Sequence, residues 1–201
     1  VDKAEVRKRF GLGDGPVVAY SGVLDRFQRI DLLLEAMAEV AWTHPTARLA
    51  IAVTIPNAAH EAAVREQAEQ LKIADKVVLT PPLPLAGVRE VLAAADVAVV
   101  PRPQAPGFPI KLLNYMDAGK PCVLFASSAS GGMTDGENCV LAAPDTGAAL
   151  GAAIRGVLAD ADGRRRLGAG ATAFVRARHD RAATAGKLVA AYRRLLAGCR
   201  K

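Results

Sequence analysis

Apolar and polar residues follow one another along the chain in blocks that predict strands alternating with helices. A compact apolar run at 16–21 lies between two glycines, as expected of a strand buried on both faces. After it, apolar residues recur every three or four positions from Ile30 to Val40, which predicts a helix. The same reasoning predicts strands at 48–54, 76–80, 96–100 and 121–126 and helices at 58–71, 85–95 and 110–118.

Strands that alternate with helices predict crossover connections, and therefore a parallel sheet. The expected fold is α/β, a Rossmann-like doubly wound parallel sheet with helices on both faces over residues 16–145. From 146 to 201 the pattern is helical only, and no linker divides the single domain of residues 1–201. Such a sheet binds its ligand where the strands end. The loops of interest are therefore 22–29, 81–85, 101–109 and 127–138.

Composition narrows the class of protein. Of the 201 residues, 51% are hydrophobic and 23% charged, which excludes a disordered chain, and the short apolar runs exclude a membrane span. The net charge of +6 is unevenly distributed. Residues 1–150 carry 14 basic and 17 acidic side chains, whereas residues 151–201 carry 12 basic and 3 acidic ones. The positive charge therefore belongs to the C-terminal helices.

Several common chemistries lack their sequence signatures. There is no GxGxxG after the first strand, no GxxxxGK[ST] and no GxSxG. The three cysteines form no CxxC or Cys/His pattern, so no disulfide framework or zinc site is expected, and a reducing, cytoplasmic setting fits best. The three histidines are isolated from one another. The chain starts at Val1 without an initiator methionine or leader, so we expect a piece excised from a longer protein.

The segment from Gly107 to Pro121 carries the most informative motif. Gly107 and Phe108 lead into the predicted helix of residues 110–118, which contains Met116 and is ended by Gly119. This pattern resembles the donor-binding segment of retaining GT-B glycosyltransferases of group 1, also called family 4. Four more parts of the chain resemble that family in the same order, namely 20–22 with 30–36, 77–79, 95–101 and 135–138. The resemblance implies the nucleotide-sugar-binding C-terminal half of a GT-B fold, with the acceptor and the catalytic residues supplied by an N-terminal domain.

The resemblance also implies a set of binding residues. Those expected around the diphosphate and sugar are Gly22, Val23, Gln28, Arg29, Arg102, Gly107, Phe108, Pro109, Ile110, Lys111 and Leu112. Asn114 is expected at the ribose, and the nucleobase is expected against Pro81, Pro82 and Leu83. No metal or other cofactor is expected, because helix N–H groups and cations can stabilise a diphosphate. The base, the sugar and the acceptor cannot be identified from these residues.

This chain departs from the family pattern at important positions. Pro106 and Asn114 stand where the family has two glutamates, and Val23 and Gln28 replace its usual arginine and lysine. The diphosphate clamp is therefore incomplete, and a second hypothesis is a catalytically degenerate binding or scaffold module. The cations left to complete the clamp are Arg29, Arg102 and Lys111, each of which could instead have a structural role.

The expected partners are a nucleotide sugar and the N-terminal domain of the same enzyme, without which the domain should transfer nothing. The basic C-terminal helices could face an anionic membrane that carries a lipid-linked acceptor, which would make the protein peripheral to the membrane. They could equally be a solvated face or meet the N-terminal domain. Nucleic acid is not an expected partner, since basic and aromatic residues are not interleaved.

Overall fold

The computed structural model describes residues 1–103 and 107–198, and within these ranges six strands form one parallel sheet. The strands are β1 Val17–Gly22, β2 Arg48–Val53, β3 Val77–Leu79, β4 Val97–Val100, β5 Cys122–Phe125 and β6 Val140–Ala142. The helices are α1 Lys3–Arg9, α2 Ile30–Thr43, α3 Ala58–Gln70, α4 Leu85–Ala94, α5 Ile110–Asp117, α6 Gly147–Ala159, α7 Ala161–Arg178 and α8 Arg181–Gly198.

The strand order β3-β2-β1-β4-β5-β6 confirms the doubly wound fold. The five predicted strands and the helices predicted between them are present, with ends that differ by at most three residues. Neighbouring strands pair in parallel, and the winding direction reverses between β1 and β4. The chain segments that follow those two strands therefore run to opposite faces of the sheet and leave a crevice at the carboxyl ends of the strands. Such sheets bind their ligands there.

Two hydrophobic layers cover the sheet. Helices α2, α3 and α6 pack on one face, and α1, α4, α5 and α7 pack on the other. The strands supply buried apolar side chains to both layers, which is why they read as continuous apolar runs and not as alternating ones. Cys122 and Cys139 are buried free thiols within this core, whereas Cys199 lies outside the described residues.

Helix α1 was not predicted, because Val6 is its one buried apolar residue. The Asp2 side chain caps it by accepting from the N–H groups of Ala4 and Glu5. From α1, the Arg7 guanidinium donates to the carboxylate of Asp96 at 2.8 Å and to three loop carbonyls. A long-range charge contact at the amino ends of the strands thus stabilises a helix that has almost no apolar periodicity.

Candidate functional site

The crevice between β1 and β4 begins at Gly22, the last residue of β1. Gly22 has φ +140°, and a Cβ there would lie 2.8 Å from the Lys111 Nζ. A side chain at this position would therefore be strained and would displace the lysine. The glycine lets a side chain from α5 reach the end of the central strand.

Lys111 lies at the centre of the site. Its Nζ donates to the Tyr20 hydroxyl and to the Oε1 of Gln28, both at 2.7 Å. The ammonium also lies 4.1 Å from the centroid of the Tyr20 ring, a cation–π contact. Residues that the sequence separates by more than 80 positions are thus brought together, since β1, the loop after it and α5 meet at this edge.

The electrostatics of Lys111 are unusual for a lysine. Burial, together with the nearby positive charge of Arg102, lowers its pKa to about 7, and the negative charge of Asp25 opposes this shift. The two hydrogen-bond acceptors of Lys111 are a phenol and an amide, so neither neutralises the charge. The same burial raises the pKa of Tyr20, which keeps the phenol protonated.

Arg102 follows β4 and faces the same crevice. Its guanidinium stacks on the half-exposed ring of Phe27, 4.6 Å from the centroid. The buried Nε has no hydrogen-bond partner among the described residues. A buried N–H without an acceptor costs free energy in the unliganded protein, so this side chain is prepared to bind an anion.

Helix α5 points its N-terminus at these cations. Gly107, at φ +84°, turns the chain into the helix, and Pro109 precedes the first helical residue without capping it. The N–H groups of Ile110 and Lys111 therefore lack intrahelical acceptors. The Leu112 N–H, expected to be free, instead donates to the Pro109 carbonyl at 2.8 Å. Pro106, at the first glutamate position of the family, lies outside the described residues.

Arg29 has a local partner. Its guanidinium forms an ion pair with Asp31 at 2.8 Å, and this contact, despite some burial, raises the pKa of the arginine. The residue adopts a left-handed conformation, φ 52°, which favours glycine over residues with a side chain. Val23 contributes a carbonyl that accepts from the Tyr20 hydroxyl at 2.7 Å. The structure thus favours Lys111 and Arg102 over Arg29 as anion-binding cations.

The ring of Phe108 packs against the core of the domain. Its ring lies against Gly131 and 5.3 Å from the ring of His179, at the end of α7. His179 also contacts Phe174 of α7, with the ring centroids 5.5 Å apart. Sequence reasoning had treated this histidine as isolated, because nothing near it along the chain indicates the contact.

Asn114, the expected ribose contact, is exposed on α5, one turn after Lys111. It lines a cleft of about 360 Å³ between α4 and α5, together with Leu85 and Arg89. In the loop after β3, Pro81 and Pro82 are exposed, and Leu83 is half-buried. The cleft and this loop adjoin at the start of α4, at the carboxyl edge of the sheet.

Two tyrosines belong to the site although the sequence does not predict them. Each lies in an apolar segment, and its hydroxyl is the one feature that distinguishes it from an ordinary core residue. Tyr20 orients Lys111, as described above. Tyr115 is fully buried on α5, and its hydroxyl accepts from the Ser21 N–H at 2.7 Å. These contacts hold α5 against the end of β1.

A wider cleft of about 710 Å³ opens at the opposite edge of the sheet, around α1. Two of its cations, Lys3 and Arg7, already pair with Asp96, so it offers less charge to a ligand. Within the described ranges no three metal-ligating side chains come together. The same part of the chain includes no helix long and apolar enough to cross a bilayer.

The fold and the crevice define a class: a Rossmann-like domain of the kind that forms one half of a GT-B structure. The family glycosyl transferases group 1 matches residues 15–160, and this chain belongs to it. D-inositol 3-phosphate glycosyltransferase of Acidothermus cellulolyticus is 32% identical over 151 residues, which are 70% of this chain and 33% of that protein. The protein of the same name in Geodermatophilus obscurus is 34% identical over 184 residues, which are 84% of this chain and 40% of that protein.

Solved structures agree on the fold. Sucrose-phosphate synthase from Thermosynechococcus elongatus superimposes with a TM-score of 0.81 and 27% identity, over 97% of this chain and 49% of that one. Anabaena HepE in complex with UDP gives a TM-score of 0.81 at 19% identity, over 95% of this chain and 52% of that one. The C-terminal domain of LpcC from Francisella tularensis gives 0.74 at 12% identity, over 90% and 94%. The chain thus spans well under half the length of the two curated relatives named above.

Proposed function

We propose that this domain binds the diphosphate of a nucleotide sugar for a retaining glycosyltransferase. One observation carries the proposal. Two cations, Lys111 and Arg102, converge on the crevice beside the N-terminus of α5, and neither forms an ion pair with a carboxylate among the described residues. Arg102 is charged at every pH of interest, and Lys111 is charged once it holds a proton, so the crevice attracts an anion, and a diphosphate supplies one.

The same groups fit the chemistry of transfer. Breaking the anomeric C–O bond leaves negative charge on the diphosphate, and donors already oriented toward that charge stabilise it as it develops. The end of a helix alone contributes roughly 0.3–2 kcal/mol, so the cations are needed as well. At Gly107 the space that a Cβ would occupy is open, so the backbone there can approach the ligand closely. No step in this scheme needs a metal.

The acceptor and the catalytic residues are proposed to come from an N-terminal domain of the same enzyme. Support comes from the coverage of the relatives, since this chain matches 33% and 40% of two of them. By itself the domain is then expected to bind a donor and transfer nothing. We place Asn114 at the ribose and the loop of residues 81–83 at the nucleobase, because the cleft and the loop adjoin.

Calorimetric titration of this chain with UDP-, GDP- and ADP-glucose tests the proposal. At least one of them should bind. Arg102→Ala should weaken binding roughly tenfold to a hundredfold, because a charged hydrogen bond contributes about 1.5–3 kcal/mol. Arg65→Ala is the matched control, since Arg65 is an exposed arginine of α3 that pairs with Glu61 on the same helix. It should bind like the unaltered chain.

A folded chain that binds none of the three sugars would contradict the proposal. So would an Arg102→Ala variant that binds as tightly as the control. The first result would favour the alternative of a degenerate scaffold module, for which Val23 and the exposed Asn114 are the motivating residues.

Helix α8 is proposed to contact the N-terminal domain. It exposes Leu188, Tyr192 and Leu195, a stripe that one helix face presents to a partner. An anionic membrane with a lipid-linked acceptor is the other proposed partner, because Lys187 and Arg193 lie on the same helix. Full-length enzyme that pellets selectively with anionic vesicles in the cytoplasmic salt range would support the membrane. Equal pelleting with neutral vesicles would rule the membrane out.

A further inference from the structure

The hydrogen bonds of Lys111 determine what it can offer to a ligand. The Tyr20 hydroxyl donates to the Val23 carbonyl at 2.7 Å, so its oxygen must accept from Lys111. The Gln28 Oε1 is also an acceptor. Two N–H bonds of Nζ are therefore occupied before any ligand arrives.

The number of N–H bonds left depends on protonation. An ammonium has three, so one remains for an incoming anion. A neutral amine has two, both already used here, and it would direct its lone pair at the ligand. Only the protonated lysine can therefore donate to a diphosphate without breaking a contact that holds it in place.

The surroundings of Lys111 bring its pKa to about 7, so the neutral amine becomes the main form in the unliganded domain as pH rises above that value. From β1 and the loop after it come the neutral Tyr20 and Gln28, together with the acidic Asp25. From the loop after β4 comes the positive Arg102. Burial and Arg102 outweigh Asp25, which is why the lysine loses its proton near neutral pH.

We propose that this domain takes up a proton on the Nζ of Lys111 when it binds the diphosphate of a nucleotide sugar, approaching one proton per ligand above neutral pH. The inference rests on the proposed function and concerns how the same site is regulated. The proton comes from solvent: the amine becomes an ammonium, and its third N–H bond forms a charge-assisted hydrogen bond to a phosphate oxygen. Tyr20 and Gln28 are positioning residues that aim this bond.

The direction of the pH dependence follows from linkage. The anion raises the pKa of Lys111 in the complex above its value of about 7 in the free domain. Affinity is therefore full below neutral pH and falls as pH rises above it. With that starting value and a much higher one in the complex, binding should weaken about fifty-fold between pH 7 and pH 9. At pH 8, about 0.9 proton should be taken up per ligand bound.

Calorimetry in buffers of different ionisation enthalpy measures the proton directly. The probes are UDP-, GDP- and ADP-glucose between pH 6 and pH 9. Sugar nucleotides are preferred to free UDP, because a terminal phosphate itself titrates at about pH 6, whereas the esterified diphosphate keeps a constant charge. Proton uptake is then the slope of observed enthalpy against buffer ionisation enthalpy.

Two variants separate protonation from mere positive charge. Lys111→Arg carries a guanidinium that stays charged at every pH used, so it should bind without proton uptake and without the loss of affinity above neutrality. Lys120→Arg is the matched control. Lys120 is another partly buried lysine with a lowered pKa, but its Nζ donates to the carbonyls of Ala93 and Ala95, away from the crevice. This variant should take up protons like the unaltered chain.

The outcomes distinguish this inference from the function on which it rests. Binding without proton uptake, or uptake that persists in Lys111→Arg, would overturn the inference and leave nucleotide-sugar binding in place. Failure of all three probes to bind the folded chain would overturn both. Uptake that disappears only in Lys111→Arg, with a fall in affinity above neutral pH in the unaltered chain, is the expected result.

Discussion

The Tyr115 hydroxyl connects α5 to the central strand, and its removal should measurably destabilise the domain. Only two residues of β1, Val18 and Ala19, pair with β4. Beyond them, the Ser21 N–H donates to the Tyr115 oxygen at 2.7 Å. In Tyr115→Phe the ring remains, so no large cavity forms, but a buried backbone N–H loses its partner.

The Tyr115 oxygen also accepts from the Ser21 Oγ at 3.2 Å, and the hydroxyl lies 3.3 Å from the Ser21 carbonyl that can accept from it, but the expected magnitude is set mainly by the short bond from the N–H. Leaving a buried donor unsatisfied costs about 1–3 kcal/mol in the free energy of unfolding. Ser21 is only 5% exposed, so water cannot readily replace the phenol oxygen, and a value of about 2 kcal/mol is expected. For a chain of this size such a loss lowers Tm by roughly 4–8 °C.

Urea unfolding followed by circular dichroism measures the change, with Tyr192→Phe as the matched control. Tyr192 lies on α8 and is 58% exposed, so removal of its hydroxyl should leave the unfolding midpoint unchanged. If Tyr115→Phe is also within about 0.5 kcal/mol of the unaltered chain, the hydroxyl does not anchor α5 and the reasoning is refuted.

Two other predictions concern stability. Burial would raise the pKa of Asp96, but hydrogen bonds from the Val17 N–H and Lys3, with the charge of Arg7, hold it below its usual range. The ionised Asp96 therefore stabilises the fold above about pH 4, and this contribution is lost as pH falls through the lowered pKa. Asp96→Asn should lower the free energy of unfolding at pH 7 by about 1.5–3 kcal/mol and flatten its acid limb. In α6, Gly151→Ala should destabilise by about 1–3 kcal/mol, since its Cβ would lie 3.0 Å from a backbone oxygen of α2, whereas Gly156→Ala should stabilise by about 0.5–1 kcal/mol.

Urea titrations at pH 7 and over the acid range check both predictions. Asp14→Asn is the control for Asp96, because Asp14 is an exposed carboxylate in the loop before β1 and its loss should cause no measurable change. If the free energy of unfolding of Asp96→Asn falls with acid pH as steeply as that of the unaltered chain, another carboxylate governs acid unfolding. Equal stability of the two alanine variants of α6 would show that α2 and α6 can separate to admit a methyl group.

The site was only partly predictable. The sequence predicts three candidate cations, Arg29, Arg102 and Lys111, because loop position and charge can be read from residue order. It could not decide among them, because all three are basic residues in loops or at helix starts. The ion pair of Arg29 with Asp31, and the absence of any such partner for Arg102 in the described ranges, decide between them. Helix α1 was missed for a related reason, since its stabilising partner Asp96 lies far along the chain.

The order of strands and helices, the two-sided burial of the sheet and the family resemblance can all be read from residue order. Each of these depends on the apolar or small character of neighbouring residues, which periodicity reveals. Only the tertiary structure decided the state of Lys111. Its lowered pKa comes from burial beside Arg102, and its contacts with Tyr20 and Gln28 exist only because β1, its loop and α5 converge at one edge. Charge interactions act through space, so residue order cannot specify them until the fold has brought the groups together.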